Sequence, residues 1–252
     1  MTDGVEQKTD IVTAAMLVIG DEILSGRTKD VNINAVAARC TAIGVRLMEA
    51  RVVPDVRERI VEAVNALRPR YDYLFTSGGI GPTHDDITAD CVAAAFGVGI
   101  SVREDAVAML RERYSAAELT PARLRMARIP HGAALIENPV SKAPGFMLGN
   151  VIVMAGVPGI MRAMLDAVTP RLRTGRVVLS ETVVVARPEG EVAQTLAEAQ
   201  ARFPDVAMGS YPFFEDGRAG ANLVLRGVDA GRLGEAAAAL KRKLAEAGLA
   251  GG

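Results

Sequence analysis

The chain has 252 residues, of which 50% are hydrophobic, and this is enough to bury one substantial core and a smaller second unit. Its 29 Lys and Arg residues nearly balance its 30 Asp and Glu residues, so the formal net charge is -1. Such a balance excludes a general attraction to nucleic acid or to an anionic membrane surface. Any affinity for phosphate must then come from local geometry, such as backbone N–H groups and helix N-termini.

The sequence shows neither a secretory leader nor an apolar run of about 18 residues, so we expect a soluble, cytoplasmic protein with no membrane partner. The two cysteines, Cys40 and Cys91, lie far apart in helix-like stretches and are predicted to be buried core thiols. Two histidines, His84 and His131, are too few for a histidine-rich metal site. Any metal ion would therefore need oxygen ligands.

The first hundred residues alternate between predicted strands and predicted helices. Strands are indicated at 11–20, 45–53 and 71–77, and helices at 31–44, 54–70 and 85–97. The run at 11–20 is continuously apolar and rich in β-branched residues, which is typical of a strand buried on both faces. This alternation predicts an α/β domain with a mainly parallel sheet.

The rest of the chain falls into two parts. A helical pattern covers 101–131 and is broken at Thr120 and Pro121, and short strands at 133–138, 145–149 and 151–156 precede a helix at 158–172. Beyond residue 175 the order strand, helix, strand, strand, helix predicts a small α+β domain of ferredoxin-like type. The predicted organisation is a flexible N-terminus at 1–12, the α/β domain at 13–175 and the α+β domain at 176–252.

Two loops that follow predicted strands carry candidate functional residues. In an open parallel sheet, ligands bind where loops leave the carboxyl ends of the strands. Gly20 lets the chain turn directly after the first strand, and Asp21 and Glu22 then present adjacent carboxylates. If these carboxylates converge with those of the later loop, the two loops could hold Mg²⁺ or a similar hard cation against a phosphate.

The later loop, "TSGGIGPTHDDITAD" at 76–90, combines glycines with acidic residues. Gly78, Gly79 and Gly81 allow backbone N–H groups to approach an anion closely, because no Cβ stands in the way. Asp85 and Asp86 follow at the predicted start of a helix. The simpler alternative is a solvated turn in which one of these aspartates caps the helix. The spacing by itself matches neither the G-x-G-x-x-G nor the G-x-x-x-x-G-K-[ST] phosphate-binding pattern.

Five segments taken together resemble a known family. "GDEILSG", "DVN", "TSGGIGPTHDDIT", "NPVSKAPGF" and "AGVPGIMRAML" are similar, in order and spacing, to the nucleotide-pyrophosphatase-type domain of the competence/damage-inducible CinA family. That domain belongs to the MoaB/Mog molybdopterin-binding superfamily, and the resemblance covers roughly residues 13–170. "GSYPFF" and the residues after it resemble the corresponding domain of eukaryotic FAD synthases. The amidase domain of full-length CinA proteins has no counterpart in this sequence, so a stand-alone form is expected.

The resemblance implies a three-layer αβα domain with a mostly parallel sheet and a set of pocket residues. It assigns catalytic roles to Asp85, Asp86 and Glu22, and metal binding to Asp21, Glu22, Asp85 and Asp86. It assigns substrate or phosphate binding to Gly20, Ser25, Asp30, Asn32, Gly78, Gly79, Gly81, Thr83, Thr88, Pro144, Gly145 and Pro158. For Asp30, Asn32 and Asn34, capping of the helix at 31–44 is an equally good interpretation. One departure from the family pattern is Ala155, which replaces a proline before the "GVP" turn.

The resemblance also implies a function and a ligand class. We expect a nucleotide pyrophosphatase that depends on a divalent metal ion of Mg or Co type and cleaves ADP-ribose or FAD through a metal-activated water. The alternative is a molybdopterin-binding or adenylyl-transfer protein of molybdenum cofactor biosynthesis that hydrolyses nothing. A relative retained only for protein contacts is a third possibility. In each enzymatic or binding case the partner is a phosphorylated small molecule, and a homodimer or homotrimer is expected.

Overall fold

A computed structural model describes residues 11–215 and 217–249. Residues 1–10 of the predicted flexible N-terminus lie outside these ranges. The chain divides between Gly175 and Arg176 into two compact units. Within the described ranges, every helix is too short or too polar to span a membrane.

The first unit contains eight strands and seven α-helices among its described residues. The strands are β1 Val12–Ile19, β2 Val45–Val53, β3 Tyr73–Ser77, β4 Ile100–Val102, β5 Arg128–Pro130, β6 Ala134–Ile136, β7 Gly145–Leu148 and β8 Val151–Met154. The helices are α1 Asp21–Leu24, α2 Asn32–Ala42, α3 Arg57–Leu67, α4 Thr88–Phe96, α5 Glu104–Arg111, α6 Pro121–Leu124 and α7 Pro158–Val168. Short 3-10 turns at Arg125–Ala127 and Thr169–Arg171 follow α6 and α7.

Six of these strands form one sheet in the order β2-β1-β3-β8-β7-β6. β7 runs antiparallel to both of its neighbours, whereas β2, β1, β3 and β8 pair in parallel. β1 lies inside the sheet and is buried along nearly its whole length, as its unbroken apolar sequence predicts. The mostly parallel sheet is therefore confirmed.

Helices cover both faces of this sheet. Val36 of α2 and Met161 of α7 belong to the buried cluster on one face. Leu67 of α3, Val92 of α4 and Leu110 of α5 belong to the cluster on the other face. The three-layer αβα architecture is thus confirmed, and each face of the sheet contributes to its own hydrophobic core.

Both cysteines are buried and free, as predicted. Cys40 belongs to one of these clusters and Cys91 to the other. Burial raises the pKa of Cys40 to about 12 and that of Cys91 to about 11. Because the thiolate is the reactive form of cysteine, neither thiol is suited to nucleophilic or redox chemistry.

The prediction of an entirely helical pattern from 101 to 131 is wrong at its two ends. β4 and β5 pair there as a two-stranded antiparallel sheet in which Ile100 lies opposite Pro130. Each strand has three residues, which is too short for a period-two pattern to be recognised against the helical pattern between them. The pairing that stabilises them spans about thirty residues, so it leaves no local signal in the sequence.

The second unit has the predicted element order β9 Leu179–Val185, α8 Glu189–Arg202, β10 Ala207–Glu215, β11 Arg218–Gly227 and α9 Ala230–Glu246. Its sheet has the order β10-β11-β9, and both pairings are antiparallel. This is the arrangement of the first three strands and both helices of a ferredoxin-like fold. A fourth strand is not found within residues 176–215 and 217–249. Leu196 of α8 and Leu240 of α9 pack with Leu223 of β11 in a core of their own.

Candidate functional site

The loops that follow β1, β3 and β8 meet at one edge of the sheet. The amide of Gly20, directly after β1, donates to the carbonyl oxygen of Val53 at 3.1 Å. The amide of Gly78, directly after β3, donates to the carbonyl oxygen of Met154 at 3.1 Å. These contacts join the loop after β1 to the end of β2 and the loop after β3 to the end of β8, at the carboxyl ends of the parallel strands, where an open α/β sheet binds ligands.

A cleft of about 720 Å³ opens between these loops, and its volume is in the range of small-molecule sites. Of the residues predicted from the sequence, Gly20, Glu22, Gly78, Gly79, Gly81, Asp85, Asp86 and Pro158 line it. Residues that were not predicted also line it, among them Thr28, Asp55, Tyr114, Arg123, Asn138 and Ser141.

Gly78 is required by the close approach of three chain segments. Its φ is 110°, a conformation that side chains other than glycine rarely adopt. A Cβ atom at this position would lie 2.1 Å from the carbonyl oxygen of Ile19. A Cβ on Gly156 would in turn lie 3.3 Å from the Cα of Gly78. The floor of the cleft therefore depends on a position that only glycine fits.

The backbone after Gly78 presents unpaired donors. Within the described part of the chain, the N–H groups of Gly79, Ile80 and Gly81 donate no intramolecular hydrogen bond. Thr88 holds this loop in place through two hydrogen bonds. Its amide donates to the carbonyl oxygen of Gly79 and its hydroxyl donates to the carbonyl oxygen of Gly78, each at 2.9 Å. All three residues with unpaired N–H groups line the cleft. This arrangement is suited to binding an anion through backbone N–H groups.

Neither Asp85 nor Asp86 caps helix α4, so the capping interpretation is wrong. The helix begins at Thr88 and no side chain caps its N-terminus. Asp86 instead accepts hydrogen bonds from the amide of Thr83, at 2.8 Å, and from its hydroxyl. Asp85 is 62% exposed and lies 3.9 Å from the imidazole of His84. Asp86 thus shapes the turn, and Asp85 is left accessible at the cleft.

Asp55 is a cleft carboxylate that the sequence reasoning missed. It follows β2, near the start of the helix predicted at 54–70, and its carboxylate accepts a hydrogen bond from the amide of Asp21 at 3.0 Å. Burial, together with the negative charges of Asp21, Glu22 and Asp85, raises the pKa of Asp55. The carboxylates of three separate loops are therefore close enough to repel one another.

The raised pKa of Asp55, caused first by burial and then by the neighbouring carboxylates, gives an expected pH dependence of stability. A raised pKa means that the native state holds the proton of Asp55 more tightly than the unfolded chain does, so ionisation lowers stability as pH rises through the folded-state pKa. We expect Asp55→Asn to unfold at a higher temperature than the wild type at about pH 7, and the two to converge near about pH 3. Thermal unfolding in EDTA across this range measures the difference.

Asp105→Asn is the control for Asp55→Asn. Hydrogen bonding from Arg103 lowers the pKa of Asp105, so its neutralisation should have the opposite sign and should lower the unfolding temperature at about pH 7. A stabilisation by Asp55→Asn that does not change with pH would contradict the electrostatic explanation.

The oxygen donors at the cleft are the groups that could bind a divalent cation. Among the described residues, no group of three or more His, Cys, Asp or Glu side chains is placed to hold a metal ion. Mg²⁺, however, is commonly bound by one or two carboxylates together with substrate phosphates and waters, which needs no complete protein cage. Glu22, Asp55 and Asp85 supply oxygen donors of this kind at the cleft. The chemistry of the donors fits such a cation, with Asp55 added to the predicted set.

Asn32 has a structural position behind the cleft. Its side chain is 5% exposed, and its Nδ2 donates to the hydroxyl of Ser77 and to the carbonyl oxygen of Gly156, each at 2.7 Å. The first acceptor ends β3 and the second follows β8. Asn32 thus ties α2 to the two strands whose loops form the floor of the cleft.

Loss of this tie should be costly. We expect Asn32→Ala to destabilise the protein by about 1–3 kcal/mol, because the hydroxyl of Ser77 and the carbonyl oxygen of Gly156 would lose their hydrogen-bond donor. Asn34→Ala, at an exposed position of the same helix, should change stability by less than about 0.5 kcal/mol. Urea denaturation followed by circular dichroism compares the two, and equal effects would contradict the role of Asn32.

The other predicted site residues do not line the cleft. Asp30 accepts the amide of Ile33, in the first turn of α2, at 2.9 Å, whereas the N-cap position itself is held by Val31. Gly145 is buried at the start of β7, and a Cβ there would lie 2.4 Å from the carbonyl oxygen of Val153. Asp21, the first residue of α1, is exposed, and so are Ser25 and Thr83 on loops. Pro144 instead lines a small cavity behind the glycine loop.

Comparisons with known proteins show the family of the chain. Residues 15–174 match the family described as "Probable molybdopterin binding domain", which is more than half of the chain. The chain belongs to this family. Residues 177–250 match the family "FAD synthase, middle domain".

Individual relatives support the same grouping. The chain is 37% identical over 210 residues to a protein of Pyrobaculum arsenaticum, and the match covers 79% of each chain. It is 32% identical over 209 residues to a CinA-like protein of Myxococcus xanthus, and the match covers 77% of this chain and 50% of that protein. The crystal structure of the protein CinA, of unknown function, from Thermoplasma acidophilum is 37% identical with a TM-score of 0.61. The match covers 64% of this chain and 98% of the Thermoplasma acidophilum chain. The predicted resemblance to CinA proteins and to the MoaB/Mog superfamily is confirmed.

Proposed function

We propose that this protein is a divalent-metal-dependent nucleotide pyrophosphatase that acts on ADP-ribose or FAD. The observation that carries the proposal is the joint presence, in one cleft, of unpaired backbone N–H groups at Gly79–Gly81 and of carboxylates from three loops. The N–H groups are suited to binding a phosphate, and the carboxylates are suited to binding a hard cation. The match to the middle domain of FAD synthase supports a ligand of this class.

The balance of charge at the cleft supports a requirement for metal. Its lining includes the carboxylates Glu22, Asp55, Asp85 and Asp86, and among the described lining residues Arg123 is the single Lys or Arg. A pyrophosphate diester would bring further negative charge into this acidic surface. A divalent cation bound there would offset the charge on the phosphoryl oxygens and lower the pKa of a bound water.

The residues of the chain have separable roles in this proposal. The amides of the glycine loop would orient one phosphate, because Thr88 holds their backbone in place. Glu22 and Asp85 would bind the cation, and Asp55 would join them. Asp86 acts through the turn that it forms with Thr83, so we regard it as a positioning residue.

The test is release of AMP from ADP-ribose and from FAD in the presence of Mg²⁺ or Co²⁺, measured by chromatography. We expect turnover of at least one of these substrates and its loss in excess EDTA, with recovery when the metal is restored. Absence of AMP with both substrates and both metals would contradict the proposal.

The family description favours one second candidate. A molybdopterin-binding or adenylyl-transfer protein would use the same cleft without hydrolysing its ligand, and the matched family is described by molybdopterin binding. Calorimetry with a pterin phosphate and with ADP-ribose separates the two functions. Saturable binding of the pterin alone would favour the second candidate.

A further inference from the structure

Tyr114 and Arg123 form a fixed pair at the cleft, outside every segment that carries the family resemblance. Both side chains line the cleft. The guanidinium carbon of Arg123 lies 4.3 Å from the centroid of the Tyr114 ring, which is a cation–π contact. Nη1 of Arg123 also donates to the carbonyl oxygen of Glu118 at 2.7 Å. Two contacts therefore hold the planar guanidinium in place against the ring.

The segment that carries Tyr114 is tied to the opposite loop of the cleft. Nη1 of Arg113 donates to the carbonyl oxygen of Val140 at 2.7 Å, and Nζ of Lys142 lies 2.5 Å from the carboxylate of Glu112. Lys142 has a φ of 63°, a left-handed conformation that is unfavourable for a residue other than glycine. Such conformations persist where the surrounding contacts hold them, and they are frequent at ligand sites.

The surroundings of the pair are apolar. Tyr114, Met126 and Ala143 all line the cleft and pack as partly buried side chains against the hydrophobic core. The acidic residues Glu22, Asp55 and Asp85 belong to other loops. The cleft thus combines a polar lining suited to phosphates with an aromatic and apolar lining suited to a flat ring. Heteroaromatic bases stack on aromatic side chains and on guanidinium groups.

We propose that Tyr114 and Arg123 form a stacking subsite for the planar heteroaromatic ring of the ligand and determine its specificity. The inference rests on the proposed function, because the ring and the phosphates would belong to one molecule that spans the cleft. The subsite selects ligands with a ring attached to the phosphates over phosphates alone.

The test compares two non-hydrolysable probes by calorimetry with Mg²⁺ present. The α,β-methylene analogue of ADP-ribose carries the ring, and methylenediphosphonate does not. We expect Tyr114→Ala to weaken binding of the analogue about 10-fold or more, and Tyr114→Phe to weaken it less than about 3-fold. Arg123→Gln, which leaves the packing of Tyr114 intact, should weaken it about 5-fold. Binding of methylenediphosphonate should be unchanged in all three variants.

The outcomes separate the two proposals. If Arg123→Gln weakens both probes by the same factor, Arg123 contacts phosphate and the stacking subsite is wrong. If neither Tyr114→Ala nor Arg123→Gln weakens the analogue, the ring binds elsewhere and the subsite is again wrong, while hydrolysis by the cleft still stands. If the wild type binds neither probe, the pyrophosphatase proposal fails together with the subsite.

Discussion

Gly78→Ala is expected to destabilise the α/β domain by about 3 kcal/mol or more. The new Cβ would lie 2.1 Å from the carbonyl oxygen of Ile19, at a φ of 110°. Ile19 ends β1, which lies between β2 and β3 in the sheet, and is buried, so this backbone atom cannot move away without disturbing the sheet. Urea denaturation followed by circular dichroism measures the loss, and a shifted floor of the cleft should abolish ligand binding as well.

Gly97→Ala is the matched control for Gly78→Ala. Gly97 also has a left-handed backbone, with a φ of 66°, but a Cβ there would meet no atom within 4 Å. It should cost only about 1–2 kcal/mol, which is the conformational penalty without the steric clash. Equal losses for the two variants would show that the approach of Gly78 to Ile19 does not limit stability.

Asp85→Asn and Glu22→Gln should each reduce metal-dependent release of AMP on the order of 100-fold or more. Each substitution keeps the size of the side chain and removes the negative charge that a divalent cation requires. Because Asp85 is 62% exposed and its pKa is lowered, its replacement should lower the unfolding temperature only slightly, and turnover is compared well below that temperature. The comparison therefore measures function rather than stability.

Glu62→Gln provides the control for these two variants. Glu62 is a 68% exposed carboxylate on α3 that contacts Arg59, and it does not line the cleft. Its neutralisation should leave turnover within about twofold of the wild type, which is within the small effects expected of surface substitutions. Activity that persists in both Asp85→Asn and Glu22→Gln would exclude these carboxylates from the reaction.

The main architecture could be predicted from the sequence because it is encoded locally. The apolar run that forms β1, the helical pattern that forms α2 and the glycines after the strands each determine an element within a dozen residues. Right-handed crossovers and short connections then leave few arrangements for alternating strands and helices. The position of the cleft followed, since parallel strands bring their carboxyl ends to one edge.

The features that the sequence did not reveal depend on contacts between distant residues. Within residues 11–215 and 217–249, β4 and β5 pair with each other alone, across about thirty residues. Asp55 joins the acidic group because β2 ends beside β1, although its local sequence resembles the start of a helix. The expected cap of α4 by Asp85 or Asp86 fails for a local reason instead, because Thr83, three residues earlier, donates to the carboxylate of Asp86. Tyr114 and Arg123 lie in a region whose helical pattern indicates packing and says nothing about a ligand.

The most direct measurement is a crystal structure of the protein with Mn²⁺ and the α,β-methylene analogue of ADP-ribose. The account predicts anomalous density for Mn²⁺ beside the carboxylates of Glu22 and Asp85 and a phosphate of the analogue over the amides of Gly79–Gly81. Binding of the analogue outside this cleft, or its binding here with no metal at these carboxylates, would contradict a metal-dependent pyrophosphate site.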